Sequence, residues 1–153
     1  MIWKQLKCIA KVACKHWSLK SDMPVVNVTS SKHSEMLDIT ADIAKLVPTD
    51  MQEGLCCVFS KHTTAGVTIN ENADPDVRSD MVLFFDKMVP WRENMFRHLE
   101  GNSAAHIKSS LMGFSQLIPV QNGRLCLGTW QGIYFCEFDG PRSRKVQVTF
   151  LQG

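Results

Sequence analysis

Several common signals are missing from this sequence, and each absence narrows what the chain can be. It has almost no excess charge: 17 Lys and Arg stand against 15 Asp and Glu, a formal +2. Proteins built mainly to hold phosphate backbones carry a much larger basic surplus, so nucleic acid is not an expected partner. Long apolar runs are also missing. Leu55–Phe59 and Met81–Phe85 are among the longest, far short of what spans a bilayer, and no membrane partner is expected. Six cysteines are present without one Cys-x-x-Cys pair, and Cys56 and Cys57 are adjacent. That pattern fits reduced core thiols in a cytoplasmic protein better than a disulfide or zinc framework.

The first 21 residues contain no acid, and Lys4, Lys7, Lys11, Lys15 and Lys20 interrupt every apolar stretch. No secretory signal fits there. An amphipathic targeting helix with Ile2, Leu6, Ile9 and Ala13 on one face is one reading, and a first strand with exposed lysines is the preferred one. No repeat or linker-like tract breaks the chain, so residues 1–153 read as one domain.

What is present is ordinary globular material. Hydrophobic residues make up 44% and charged residues 21%, enough apolar surface to offset the ordering entropy of a compact chain. Ser34, with Glu35, Met36, Leu37, Ile39, Ile43 and Leu46, has helical spacing that ends at Pro48. Leu55–Phe59 reads as a buried strand and Gly66–Ile69 as its successor. Asp74-Pro75-Asp76 is a strong helix start, since Asp74 can cap, Pro75 suits the first turn and Asp76 faces the positive dipole end. Val77, Met81, Phe84, Phe85 and Met88 would form its buried stripe before Pro90. A third helix fits Ser103–Met112, with Gly113 as its stop. Leu117–Val120 and Arg124–Leu127 flank Asn122-Gly123, a hairpin turn. Gly132–Phe138 and Lys145–Phe150 flank Asp139-Gly140-Pro141-Arg142 and read as a second hairpin. Non-alternating strands and helices imply an α+β fold, a single compact domain with a largely antiparallel sheet and about three helices.

Polar residues crowd into four places. Ser60-Lys61-His62-Thr63-Thr64 leaves a buried strand, where site residues often sit, although a plain Ser/Thr turn would look the same. Asn70-Glu71-Asn72-Ala73-Asp74 offers oxygen donors suited to a hard cation. Capping explains Asp74 equally well but leaves Glu71 unexplained. His98 and His106 bracket Gly101-Asn102, and imidazole serves as metal ligand or as acid and base near neutral pH. Gly128-Thr129-Trp130-Gln131-Gly132 places Trp130 where it could stack on a ring or fill the core. Arg142 and Arg144 could hold phosphate or simply be solvated turn residues.

Taken together, these segments resemble the YjbQ family, small proteins described as secondary thiamine-phosphate synthases. The match runs through His62-Thr63-Thr64-Ala65, Asn70–Pro75, and His98 with Gly101-Asn102. It continues through Ala105–Leu111 with Gly113, then Gly123-Arg124, Gly128–Gly132 and Asp139–Arg142. It covers roughly residues 50 to 153, whereas Lys15–Ser21 lacks the glycine, and a histidine at the matching place, of the family's early Arg-Gly-x-His-x-Ile-Thr-like segment. The resemblance implies a homotrimer with a site at or near subunit boundaries. It also implies a polar cluster of His62, Asn70, Glu71, Asp74, His98, Asn102 and His106, with a divalent cation, magnesium or zinc.

The implied reaction joins hydroxymethylpyrimidine diphosphate to thiazole phosphate with loss of pyrophosphate, as a weak or secondary activity. Glu71 and Asp74 would face the metal, and His98 and His106 would ligate it or neutralise the leaving group. His62 and Thr63 would bind a phosphate oxygen, Asn70 and Asn102 would orient substrate, Trp130 would stack, and Arg142 would hold phosphate. The alternatives are metal-dependent hydrolysis of another phosphorylated small molecule and a trimeric metal- or ligand-binding protein without turnover.

Overall fold

The computed structural model describes residues 23–153. The reading of the lysine-rich first segment, with Cys8 and Cys14, lies outside the described residues. Among the described residues, eight strands form two antiparallel sheets. The larger has the order β1 (Val25–Thr29), β8 (Ser143–Gln152), β3 (Glu53–Ser60), β5 (Ser115–Gln121) and β6 (Arg124–Leu125). The smaller is β2 (Glu35–Asp38), β7 (Gln131–Glu137) and β4 (Ala65–Glu71). Three helices of the described residues complete the α+β fold: α1 (Thr40–Ala44), α2 (Pro75–Met88) and α3 (Ser103–Met112).

Side-chain alternation builds the main core between the sheets. Cys56 and Val58 of β3, Val146 and Val148 of β8, and Ile118 and Val120 of β5 point inward and are buried. Val67, Ile133 and Phe135 of the smaller sheet meet them from the other side. Leu55 and Phe59 alternate to the outside and are exposed, so β3 is buried on one face only, as its period of two dictates. β7 differs, because both its faces are covered. Tyr134, Cys136 and Phe138 point away from the main core and join Met36 and Ala105 in a second cluster. Met81, Val82 and Met112 close that cluster from α2 and α3. The smaller sheet is thus the middle layer, with the larger sheet on one face and α2 and α3 on the other, while Ile43 of α1 packs into the main core.

Close approach at one glycine sets the position of α3. A Cβ on Gly66 would lie 2.7 Å from the Gly113 carbonyl oxygen and 3.0 Å from Met112 Cβ. The end of α3 therefore packs against bare backbone, and the Val67 N–H donates to the Gly113 carbonyl at 3.0 Å. Gly113 has φ 90°, the conformation that stops the helix where the sequence placed its end.

Local signals hold well. Asp74 caps α2 by accepting from the Asp76 N–H at 2.9 Å. The Asn122-Gly123 turn has both residues at positive φ, 50° and 69°, as a two-residue hairpin requires. Three expectations need correction. The helix over 34–46 is a strand followed by one short helix, α1. Met36 and Leu37 turn to opposite faces of β2 and pack in different clusters, and so short an apolar run fits either period. The expected stripe on α2 is not buried: Phe84 and Met88 are exposed, and no residue of the helix is fully buried. Finally, β7 and β8 do not pair. They belong to different sheets, because the 139–142 turn packs onto the loop after β1. There the Gly140 N–H donates to the His33 carbonyl at 3.0 Å, and a Cβ on Gly140 would strike the Lys32 carbonyl oxygen.

Candidate functional site

Three chain segments meet where β4 begins. The turn from β3 to β4 is tied down by Ser60 Oγ, which donates to the Ala65 carbonyl at 3.0 Å. From α3, Ser109 Oγ donates to the Thr63 carbonyl at 2.6 Å. Asn102 stands at the N-cap of α3 and His106 one turn in. The 139–142 turn supplies Asp139 and Arg142. Between them lies an open cleft of about 190 Å³ lined by Thr63, Thr64, Glu100 and Asn102, and by His106, Asp139, Arg142 and Arg144.

A buried ion pair underlies this cleft. Glu137 is fully buried and takes a two-pronged contact from Arg144, Nε to Oε2 at 2.7 Å and Nη2 to Oε1 at 2.6 Å. Oε1 also accepts the N–H groups of Phe138 and Asp139 at 3.1 and 3.0 Å. Arg144 passes the order on through Nη2, which donates to Thr64 Oγ1 at 2.9 Å. Charge-assisted bonds of this kind are short and direction-specific, so Glu137 holds both walls of the cleft without lining it. Nearer solvent, Arg142 donates to the Asp139 carbonyl at 2.7 Å and to Asp139 Oδ2 at 2.9 Å.

Thr63, Asn102, His106 and Arg142 are therefore brought together, and His98 stands beside them. Its ring centroid is 5.4 Å from that of His106, and its Nε2 is 3.8 Å from Glu100 Oε2. His106 also borders a more apolar hollow formed with Met95, Phe96, His98 and Ile107. Sequence reasoning left Thr64, Glu100, Asp139 and Glu137 without roles. One signal could have found Glu137: it is the only carboxylate in the apolar run Ile133–Phe138, with Arg144 close behind. A charge in such a run calls for a buried partner.

His62 does not line the cleft. Its Nε2 accepts the Lys145 N–H at 2.8 Å and its ring stands edge-on to Phe135. Burial, joined by the Arg144 charge, holds the imidazole pKa below its ordinary 6.5, against an opposing pull from Glu137. The folded state thus keeps His62 neutral. As pH falls below 6.5 the unfolded chain takes up the proton first, and stability drops until the folded value is passed. His62→Gln, which can still accept from Lys145, is expected to lose less stability than the parent between pH 7 and pH 5 in thermal melts.

The other expected site residues lie elsewhere. Glu71 ends β4 while Ala65 begins it, a separation of roughly 20 Å at the usual rise per strand residue. Asn70 Nδ2 contacts Met81 Sδ, and its Oδ1 accepts the Glu71 N–H at 2.7 Å. Asp74 is the cap of α2. Trp130 is exposed beside that same end, its carbonyl accepting the Asn72 N–H at 2.7 Å. The predicted cluster is thus two groups at opposite ends of one strand. No set of three His, Cys, Asp or Glu among the described residues comes together as a metal-binding group, so the expected donor set does not fit a divalent cation within one chain. No helix of the described residues is long and apolar enough to cross a membrane.

Comparison with known proteins follows the same outline. Residues 25–153 match the family model described as UPF0047 protein YjbQ-like, so the match begins well before residue 50. The protein YugU of Bacillus subtilis is 52% identical over 130 residues, 84% of this chain and 98% of that one. YjbQ of Salmonella typhimurium is 45% identical, with 76% and 84% covered. A solved structure of an uncharacterised conserved protein from Clostridium acetobutylicum has a TM-score of 0.80 at 52% identity, covering 83% of this chain and 98% of that one. A YbjQ-like protein from Sulfolobus solfataricus reaches 0.82 at 27% identity, with 89% and 100% covered. With two antiparallel sheets, helix α3 and the cleft beside it all inside the matched span, this chain belongs to the YjbQ-like UPF0047 family.

Proposed function

We propose that the protein is a transferase of the thiamine-phosphate synthase type, acting weakly or as a secondary activity on small phosphorylated substrates in the cytoplasm. The observation that carries this reading is the convergence of Thr63, Asn102, His106 and Arg142, from three separate segments, on one cleft. In the reaction, the thiazole-phosphate nitrogen forms a bond to the pyrimidinylmethyl carbon. The carbon–oxygen bond to diphosphate breaks, and its electron pair leaves with pyrophosphate. Negative charge grows on the leaving group, so catalysis comes from cations and N–H groups already in place. Arg142 is half exposed at the mouth of the cleft, and His106 stands one helical turn inside. These two are assigned to the leaving diphosphate, and Thr63 to a phosphate oxygen.

A homotrimer belongs to the same proposal. Leu83, Phe84, Met95, Leu99 and Leu111 are strongly exposed, a surplus of apolar surface that association would cover. A neighbouring copy is also the means by which Glu71, Asp74 and Trp130 would reach this cleft. A divalent cation would then need donors from two chains, and no step of the reaction is assigned to one. Purified protein supplied with magnesium and both substrates is expected to form thiamine phosphate faster than its His106→Ala variant. Equal product in the two, or none in either, would remove the proposal.

A further inference from the structure

We propose that the floor of this cleft recognises a primary amino group of the ligand rather than a phosphoryl group. The proposal deepens the reading above and rests on it only for the location of the site. Asn102 is 7% exposed. Its Nδ2 donates to Asp139 Oδ2 at 3.2 Å and to Glu100 Oε2 at 3.4 Å, which fixes the orientation of the amide. Turned over, it would set an oxygen against two carboxylates. In the orientation so fixed, Asn102 Oδ1 is buried and has no partner among the described residues. A buried acceptor left unpaired is costly, and a native fold keeps one only where something else satisfies it. What is missing is a hydrogen-bond donor.

The charges select the kind of donor. Arg144 is paired with Glu137 and Arg142 with Asp139, so both guanidiniums are already countered. Glu100 adds a further carboxylate to the lining. Counting Glu137 buried beneath the lining, two cations stand against three anions, and a phosphate dianion on the floor would sit among the carboxylates of Glu100 and Asp139. An amino group does the opposite. One N–H can reach Asn102 Oδ1 while another meets a carboxylate, and a charged ammonium gains from the excess negative charge. Phosphate groups of the same ligand are left to the mouth, at Arg142 and His106.

Two sources share this chemistry, an amino-substituted nitrogen heterocycle and an alkylammonium. The test is an NMR titration of the full chain with four probes: 4-aminopyrimidine, unsubstituted pyrimidine, ethylammonium and inorganic phosphate. Shifts of the Asn102 side-chain amide report on the floor. Saturable binding of 4-aminopyrimidine or ethylammonium, at least tenfold tighter than pyrimidine, is expected, and the better of the two identifies the source. Asn102→Ala should weaken that binding about tenfold. Because Asn102 also bridges Asp139 and Glu100, Glu100→Gln serves as the gentler variant. It should weaken ethylammonium severalfold and tighten phosphate. Phosphate binding that shifts the Asn102 amide more tightly than either amine would overturn the proposal. So would amine binding unchanged in both folded variants, or no amine binding at all. Amine binding without thiamine-phosphate formation would keep the inference and remove the reaction, and product formation without amine binding would do the reverse.

Discussion

Glu137→Ala is expected to lower the unfolding free energy by about 3–5 kcal/mol, the usual cost of removing one partner from a buried ion pair. The loss has two parts. Arg144, itself only 8% exposed, keeps a charge with no counter-ion. The Phe138 and Asp139 N–H groups and Ser30 Oγ lose the acceptor they share. Urea unfolding measures the effect as a drop in midpoint with little change in slope. Joining Glu137→Ala to Arg144→Met should recover only the part due to the stranded charge, because the Phe138 and Asp139 N–H groups still lack their acceptor. It should not recover the cleft, since Thr64 would lose its Arg144 contact and Asp139 its backbone anchor. Parent-like stability of Glu137→Ala alone, or ligand binding in the double variant equal to the parent, would contradict this account.

A comparable loss, also about 3–5 kcal/mol, is expected for Asp86→Ala on the opposite side of α3. Lys108 Nζ is bonded to Asp86 Oδ1, and the two side chains are unequally placed. Lys108 is 2% exposed, whereas Asp86 is 46% exposed. Removing the carboxylate strands an ammonium that water cannot reach. Removing the ammonium instead leaves a carboxylate that water can reach, still holding Ser34 Oγ at 3.0 Å. Lys108→Met should therefore stay within about 1 kcal/mol of the parent. The order of the two variants, compared by denaturant midpoint, is the decisive reading. Equal losses would mean that the pair acts through packing rather than charge.

How much of this was legible in the sequence depended on how local the signal was. Asp74-Pro75-Asp76, Asn122-Gly123 and Ser103–Gly113 each carry their conformation in a few adjacent residues, and each element stands where it was expected. Sheet membership is not local. Nothing within Gly132–Phe150 reveals that β7 and β8 part to different sheets, because the cause is the loop at Ser30–His33 more than a hundred residues away. For α2 the spacing was read correctly and its meaning was not: a periodic apolar stripe marks a surface to be covered, not what covers it. The site divides in the same way. Thr63, Asn102, His106 and Arg142 are gathered by helix α3 and two turns, while Asn70, Glu71 and Asp74 sit at the far end of β4. Motif order along the chain cannot tell one end of a strand from the other. Glu137 escaped notice because a carboxylate reads as solvated until its buried partner is known.

The place of β8 has a consequence for how the molecule comes into being. β8 pairs with β1 on one side, Val25 opposite Gln147, and with β3 on the other, Val58 opposite Val148. Until it arrives, the larger sheet exists as two unjoined pieces, with β1 on one side of the gap and β3, β5 and β6 on the other. On a ribosome β8 is the last described strand to emerge, so most of the chain must wait with raw sheet edges open. Local pieces such as α3 and the β5–β6 hairpin can form early, but closing the sheet is a late, long-range event of the slow kind. The exposure to misassembly is therefore concentrated in the interval before β8 joins the two pieces.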